Sequence, residues 1–184
     1  MKIIGISGSP RKGNTEFMVE TCLEACKKVG AETELILLRE RNIKGCKGCE
    51  DYCNDKGVCF IKDDDMNEIN NKLVKADGFV IGSPTYFDTV TGLLKSFLDR
   101  THPLYTPKKL KGKCTIIISV GAADEESIGK TIKYLETFCE IYEMKVLDYT
   151  WAKADGPNKV AKNKKVIKKL QNLGEKLVKS IKTK

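Results

Sequence analysis

Apolar runs of strand length alternate with longer helical patterns along the whole chain, and this alternation restricts the fold to the α/β class. Runs at 2–6, 33–38, 78–82, 113–120 and 145–151 are rich in Ile, Val and Leu. Segments 15–29, 64–75, 90–101, 125–142 and 159–181 carry apolar residues at helical spacing. Five strands separated by helices imply right-handed crossovers and a parallel sheet covered on both faces. The first, third and fourth runs are nearly continuous in apolar character, which fits strands buried on both sides. The 184 residues suit a single domain, 1–184. Its one irregular stretch is a cysteine-rich loop insertion at about 42–61.

No apolar run approaches the roughly 18 residues of a membrane span. Gly8-Ser9-Pro10-Arg11 interrupts the apolar start too early for a signal peptide. The expected setting is therefore the cytoplasm, away from membranes. Net charge is +8, from 33 Lys+Arg and 25 Asp+Glu. The densest run is Lys159, Lys162, Lys164, Lys165, Lys168 and Lys169, which reads as a solvated helix face. Nucleic acid is not expected as a partner, because no known reading motif focuses the charge. The alternative to a merely solvated face is attraction for an acidic partner such as a ferredoxin.

In open α/β sheets ligands bind at the carboxyl ends of the strands, near the topological switch point. The loop after the first strand is Ser7-Gly8-Ser9-Pro10-Arg11-Lys12-Gly13-Asn14-Thr15. It runs straight into a helix, whose free N–H groups and dipole make an anion site. Ser7, Ser9, Asn14 and Thr15 add short polar side chains, and Gly8 and Gly13 permit close approach. The spacing nearly matches the ATP-binding P-loop, but Asn14 stands where that pattern needs lysine. The loop therefore suits a monophosphate ester, against the plainer alternative of an ordinary polar turn. After the third strand come Ser83-Pro84-Thr85-Tyr86-Phe87, whose aromatics suit a flat ring or simply cover the sheet end. After the fourth come the small residues Gly121-Ala122-Ala123.

These motifs, with Thr91-Gly92-x-x-Lys95-x-x-x-Asp99-Arg100, resemble the NADPH-dependent FMN reductase superfamily over roughly residues 1–180. The resemblance implies a flavodoxin-like three-layer sandwich with strand order 2-1-3-4-5. It implies that FMN is bound, its phosphate by Ser7, Ser9, Pro10, Arg11, Gly13, Asn14 and Thr15. Pro84, Thr85, Tyr86, Phe87 and Gly121 would line the flavin ring.

Eight cysteines are present, and Cys46, Cys49, Cys53 and Cys59 fall close together. In a chain read as cytosolic, such a group favours metal or redox chemistry over structural disulfides. Thiolates select iron-sulfur clusters or zinc. Compact spacing favours a 4Fe-4S cluster, since zinc sites more often use two separated pairs. Zinc and a metal-free thiol group remain as alternatives. The segment also resembles the iron-sulfur flavoprotein branch, with one departure: three residues, not two, separate Cys49 from Cys53. That branch implies electrons passing from ferredoxin through the cluster to FMN, then to oxygen, peroxide or a quinone-like acceptor. It also implies a homodimer or homotetramer. The alternatives are a cluster-free NAD(P)H-dependent FMN or quinone reductase and a flavodoxin-like electron carrier.

Cys22, Cys26, Cys114 and Cys139 read as core residues. Asp63, Asp64 and Asp65 read as helix-capping groups. His102, the single histidine, precedes Pro103 and reads as a cap on helix-end carbonyls. No side chain is expected to act as a catalytic group, since the chemistry belongs to the flavin.

Overall fold

A computed structural model describes residues 1–183, leaving Lys184 outside the described residues. Five parallel strands form one sheet in the order β2-β1-β3-β4-β5. They are β1 (Lys2–Ser7), β2 (Glu32–Leu37), β3 (Gly78–Pro84), β4 (Cys114–Gly121) and β5 (Lys145–Lys153). The helices are α1 (Asn14–Lys28), α2 (Glu50–Lys56), α3 (Met66–Lys75), α4 (Gly92–Asp99), α5 (Glu125–Ile141) and α6 (Lys164–Lys182). The expected flavodoxin-like three-layer architecture is what forms. Among the described residues, no helix is long and apolar enough to cross a membrane.

Each sheet face has its own core. Met66 and Leu73 of α3, Leu94 and Phe97 of α4 and Leu135 of α5 pack on Ile4, Ile81 and Ile117. On the other face, Met18 and Leu23 of α1 and Leu170 and Leu177 of α6 pack on Ile3, Val80 and Ile118. β4 is buried along its whole length, whereas the edge strand β5 is buried at only two of its nine positions. This is the burial a continuous apolar run demands of a central strand.

Where the boundaries differ from expectation, a local hydrogen bond explains it. The pattern at 159–181 breaks into a 3-10 turn, Val160–Lys162, and a helix that restarts after Asn163. The Asn163 side chain accepts from the N–H groups of Lys165 and Val166, a capping geometry. The pattern at 90–101 shortens to α4 because Thr91 caps its start, while His102–Leu104 forms a separate 3-10 turn. Within 42–61 the structure adds a helix, α2, to what the sequence alone reads as a loop.

α1 and α6 cross closely at Gly174. A Cβ there would lie 2.4 Å from the Cys22 carbonyl oxygen and 2.8 Å from the Ala25 Cβ. Helix propensity alone favours Ala over Gly by about 1 kcal/mol. Backbone crowding at the crossing opposes it, with an overpacking cost of about 1–3 kcal/mol. Gly174→Ala is therefore expected to lower the urea midpoint. A raised midpoint would show that α6 shifts freely.

Candidate functional site

Three helices carry a side-chain cap from the cap residue: Thr91 on α4, Asp124 on α5 and Asn163 on α6; α2 and α3 do not. Neither does α1. Gly13 occupies its cap position, with no side-chain hydrogen bond. A Cβ on Gly13 would meet nothing within 4 Å. The first N–H groups of this 15-residue helix thus receive no side-chain acceptor from the cap residue, a role an anionic oxygen can fill.

That helix start opens on a cavity of about 180 Å³. Of the expected flavin residues, Ser9, Arg11, Gly13, Asn14, Thr15, Pro84, Thr85, Tyr86 and Gly121 line it. Ser7, Pro10 and Phe87 do not. Ser7 ends β1 fully buried, and its Oγ has no partner. Phe87 stands fully exposed, with φ of 48°, in a two-residue turn between the bridged Tyr86 and Thr89. Asp88, next in that turn, is held by Ser127 and Lys130.

The loops are fastened to one another by small hydroxyls and amides. Thr91 Oγ1 donates to the Gly8 carbonyl at 2.6 Å while accepting from the Leu94 N–H, so the α4 cap also holds the first loop. Thr85 Oγ1 lies 3.1 Å from Ser119 Oγ and 3.0 Å from Thr131 Oγ1, which fixes it in the cavity wall. Asn14 does something the sequence did not disclose. Its amide donates to the Gly156 carbonyl at 2.8 Å and accepts from the Val160 N–H. It thereby draws in a fourth wall, from Ala154, Asp155 and Pro157. The only local signal for that wall is Gly156-Pro157 punctuating a strand-to-helix loop.

A second cavity, of about 510 Å³, is lined by all four clustered cysteines. Cys49 sits at the cap position of α2, and the Cys53 N–H donates to the Cys49 carbonyl at 3.2 Å. The three-residue gap between them is thus one turn of helix, which brings both to the same face. Burial pushes the Cys53 thiol up to about 11, reinforced by the Cys49 and Cys59 thiols and opposed by the Phe60 N–H. A bound cation would reverse this, since it deprotonates a coordinating thiol outright. Among the described residues, no three His, Cys, Asp or Glu side chains are grouped to hold one metal ion. The cysteines instead ring a cavity.

Cys59 is the most firmly held. Asn67 accepts from its N–H and donates to its carbonyl. Arg100 Nε donates to its sulfur at 3.1 Å. Arg100 also pairs through both terminal nitrogens with Asp64, at 2.7 and 3.0 Å. Asp64 does accept from the Met66 N–H at the start of α3, as capping requires. Its larger role, a buried ion pair, was not legible in the sequence. Burial works against its ionised form, but Arg100 and the N–H groups of Lys44 and Met66 outweigh this and hold its carboxyl below the ordinary range. His102 lines the same cavity. It caps no carbonyl, correcting the sequence reading, and its Nδ1 is buried without a partner.

α4 joins the two cavities. Its cap, Thr91, touches the first loop, and Arg100 at its other end touches Cys59. Eight residues of helix span about 12 Å.

A doubly wound sheet with a helix start opening on a cavity at its switch point defines a flavodoxin-like fold, and the family matched by residues 1–157 makes the chain a flavin-dependent oxidoreductase. The description "NADPH-dependent FMN reductase" matches residues 1–157, and the chain belongs to that family, in its iron-sulfur flavoprotein branch. An iron-sulfur flavoprotein of Methanocaldococcus jannaschii is 40% identical over 148 residues, covering 80% of this chain and 76% of the relative. One of Methanosarcina thermophila is 38% identical over 149 residues, covering 80% and 77%. Among solved structures, a flavone reductase superposes with a TM-score of 0.80 at 23% identity. It covers 99% of this chain, which spans 63% of that longer protein. At that identity the likeness speaks for the fold.

Proposed function

We propose that this chain is an electron-transfer flavoprotein that holds FMN at the start of α1 and a 4Fe-4S cluster in the cysteine cavity. An acidic protein such as a ferredoxin is the electron donor, and a small oxidant (oxygen, peroxide or a quinone-like molecule) is the acceptor. The observation that carries the cluster is that Cys46, Cys49, Cys53 and Cys59 line one cavity, with a buried cation donating to one sulfur. FMN supplies two-electron chemistry, and a 4Fe-4S cluster supplies one-electron chemistry.

The chain's own residues bind and orient. The N–H groups of α1 receive the phosphate. Thr85, pinned by Ser119 and Thr131, and Tyr86 form the wall against the ring, and Gly121 lets Thr85 and Ile128 pack close, since a Cβ there would lie 3.2 and 3.0 Å from their side chains. Asn14 closes the 154–160 loop over the opposite side. Ser9 is engaged within its own loop, bonding both the N–H and the carbonyl of Arg11, so it shapes the cradle. A homodimer or homotetramer belongs to the same reading. Val58, Phe60, Tyr105 and Ile141 are exposed at or beside the cysteine cavity and supply apolar surface for such assembly. A cytoplasmic setting suits eight free cysteines, since thiols stay reduced there.

The test is an anaerobic absorption spectrum with iron, acid-labile sulfide and flavin determined on the same sample. Flavin bands with about four irons and four sulfides per chain are expected for a thiolate-bound cube. Flavin without iron or sulfide, even after reconstitution, would remove the cluster and leave the flavin site standing. Steady NAD(P)H turnover by that iron-free protein would then establish the cluster-free reductase.

A further inference from the structure

Arg100 is among the largest fully buried side chains in the molecule. A buried guanidinium carries a desolvation cost that its partners must offset. Nε donates to Cys59 Sγ at 3.1 Å, Nη1 to the Lys44 carbonyl at 2.8 Å and to Asp64, and Nη2 to Asp64. Asp64 in turn accepts from the Lys44 N–H at 3.0 Å. The pair therefore grips the cysteine segment at both flanks: Lys44 by its N–H and its carbonyl, and Cys59 by its sulfur. The sulfur contact is singular. Among the described residues, no other clustered cysteine accepts a hydrogen bond from an Arg or Lys side chain; Cys46 receives only the Gly48 N–H, at 3.4 Å.

We propose that Arg100 is the positioning residue of the cysteine site, fixing Cys59 as a ligand and raising the reduction potential of the cluster held there. The proposal rests on the cluster reading above. Hydrogen bonds to the ligand sulfurs and local charge both set cluster potentials. One-electron reduction adds a negative charge, so a fixed cation at a ligand sulfur favours the reduced form. The Arg100 side chain is 1% exposed and that of Asp64 0%, so water screens this effect little. Asp64 neutralises part of the cation's charge but also orients Nε toward sulfur. Lysine keeps the charge and loses the planar fork that serves sulfur, carbonyl and carboxylate at once.

The experiment compares wild type, R100K and the double variant R100Q/D64N, in which no buried charge is left unpaired. Each is reconstituted anaerobically and assayed for iron and sulfide. The cluster midpoint is followed by an electron-paramagnetic-resonance redox titration, and the unfolding midpoint of the metal-free protein is measured alongside. The double variant is expected to retain iron and to reduce less readily. At a fixed potential its reduced-to-oxidised ratio falls about tenfold, which is about 59 mV for one electron. R100K falls part of the way. An unchanged potential in an iron-loaded double variant, whatever its thermal stability, overturns the role of Arg100 and leaves the cluster reading intact. Should the double variant lose its iron, R100K decides: a midpoint equal to that of wild type overturns the proposal. Absence of iron and sulfide in reconstituted wild type overturns the cluster reading and this role with it.

Discussion

Asp64→Ala is expected to lower the unfolding free energy by about 3–5 kcal/mol, the usual cost of leaving one member of a buried ion pair without its partner. The Asp64 side chain is fully buried and faces a guanidinium that is 1% exposed. Removing the carboxylate also orphans the N–H groups of Lys44 and Met66 that it accepts. The expected signature is a lower denaturant midpoint at unchanged m-value. The double variant R100Q/D64N should cost clearly less than Asp64→Ala, because neither site then buries an unpaired charge. The acid limb follows from the sign of the carboxyl shift. Asp64 is held below its ordinary pKa, so its contribution is fully present above the unfolded value. It is lost as pH falls through the folded value, and the gap between wild type and variant should narrow there. A gap independent of pH down to acid unfolding, or a midpoint change near zero, would mean the pair contributes little.

Gly13→Asp is expected to weaken FMN binding by about a hundredfold while leaving the apo-fold as stable as before. The two effects have one cause. Gly13 holds the cap position of α1 in extended backbone, φ 168°, that any residue adopts. An aspartate there caps the helix itself, a change of only a few tenths of a kcal/mol for stability. In doing so it occupies the N–H groups the phosphate needs and sets a negative charge beside it. Losing two charge-assisted hydrogen bonds, each about 1.5 kcal/mol, gives roughly two decades in affinity. Gly13→Ala is the control: its Cβ meets nothing within 4 Å, and binding should change little. Calorimetric titration of apo-protein with FMN reads the affinity, and a thermal scan reads the fold. Retained affinity in Gly13→Asp would move the phosphate away from α1.

Much of this molecule was legible as pattern. The apolar run at 113–120 could only be a central strand, and β4 is that strand, buried at every position. The glycine-bearing first loop announced an anion site at a helix start, and the structure leaves that start without a side-chain cap and opens a cavity there. The departure between Cys49 and Cys53 could not be interpreted from spacing alone. Four positions are one turn if the segment is helical and a mismatch if it is extended, and only the fold of α2 decides between them. His102 misled for a similar reason: a helix-end histidine has carbonyls within reach, but α4 ends before it and a 3-10 turn carries the ring elsewhere.

Sequence by itself determined the α/β layering and the succession of strands and helices, and it marked the glycine-bearing first loop and the segment that gathers thiols. All of these follow from periodicity and from residue types placed a few positions apart; the strand order came from the family resemblance. Tertiary structure alone decided the partners. Arg100 meets Asp64 from 36 residues away and Cys59 from 41, and Asn14 reaches Gly156 across 142. Neither local propensity nor spacing encodes such pairs. They exist because packing on the sheet brings distant chain segments together at one end, where each buried polar group must find a partner or bear the cost of desolvation.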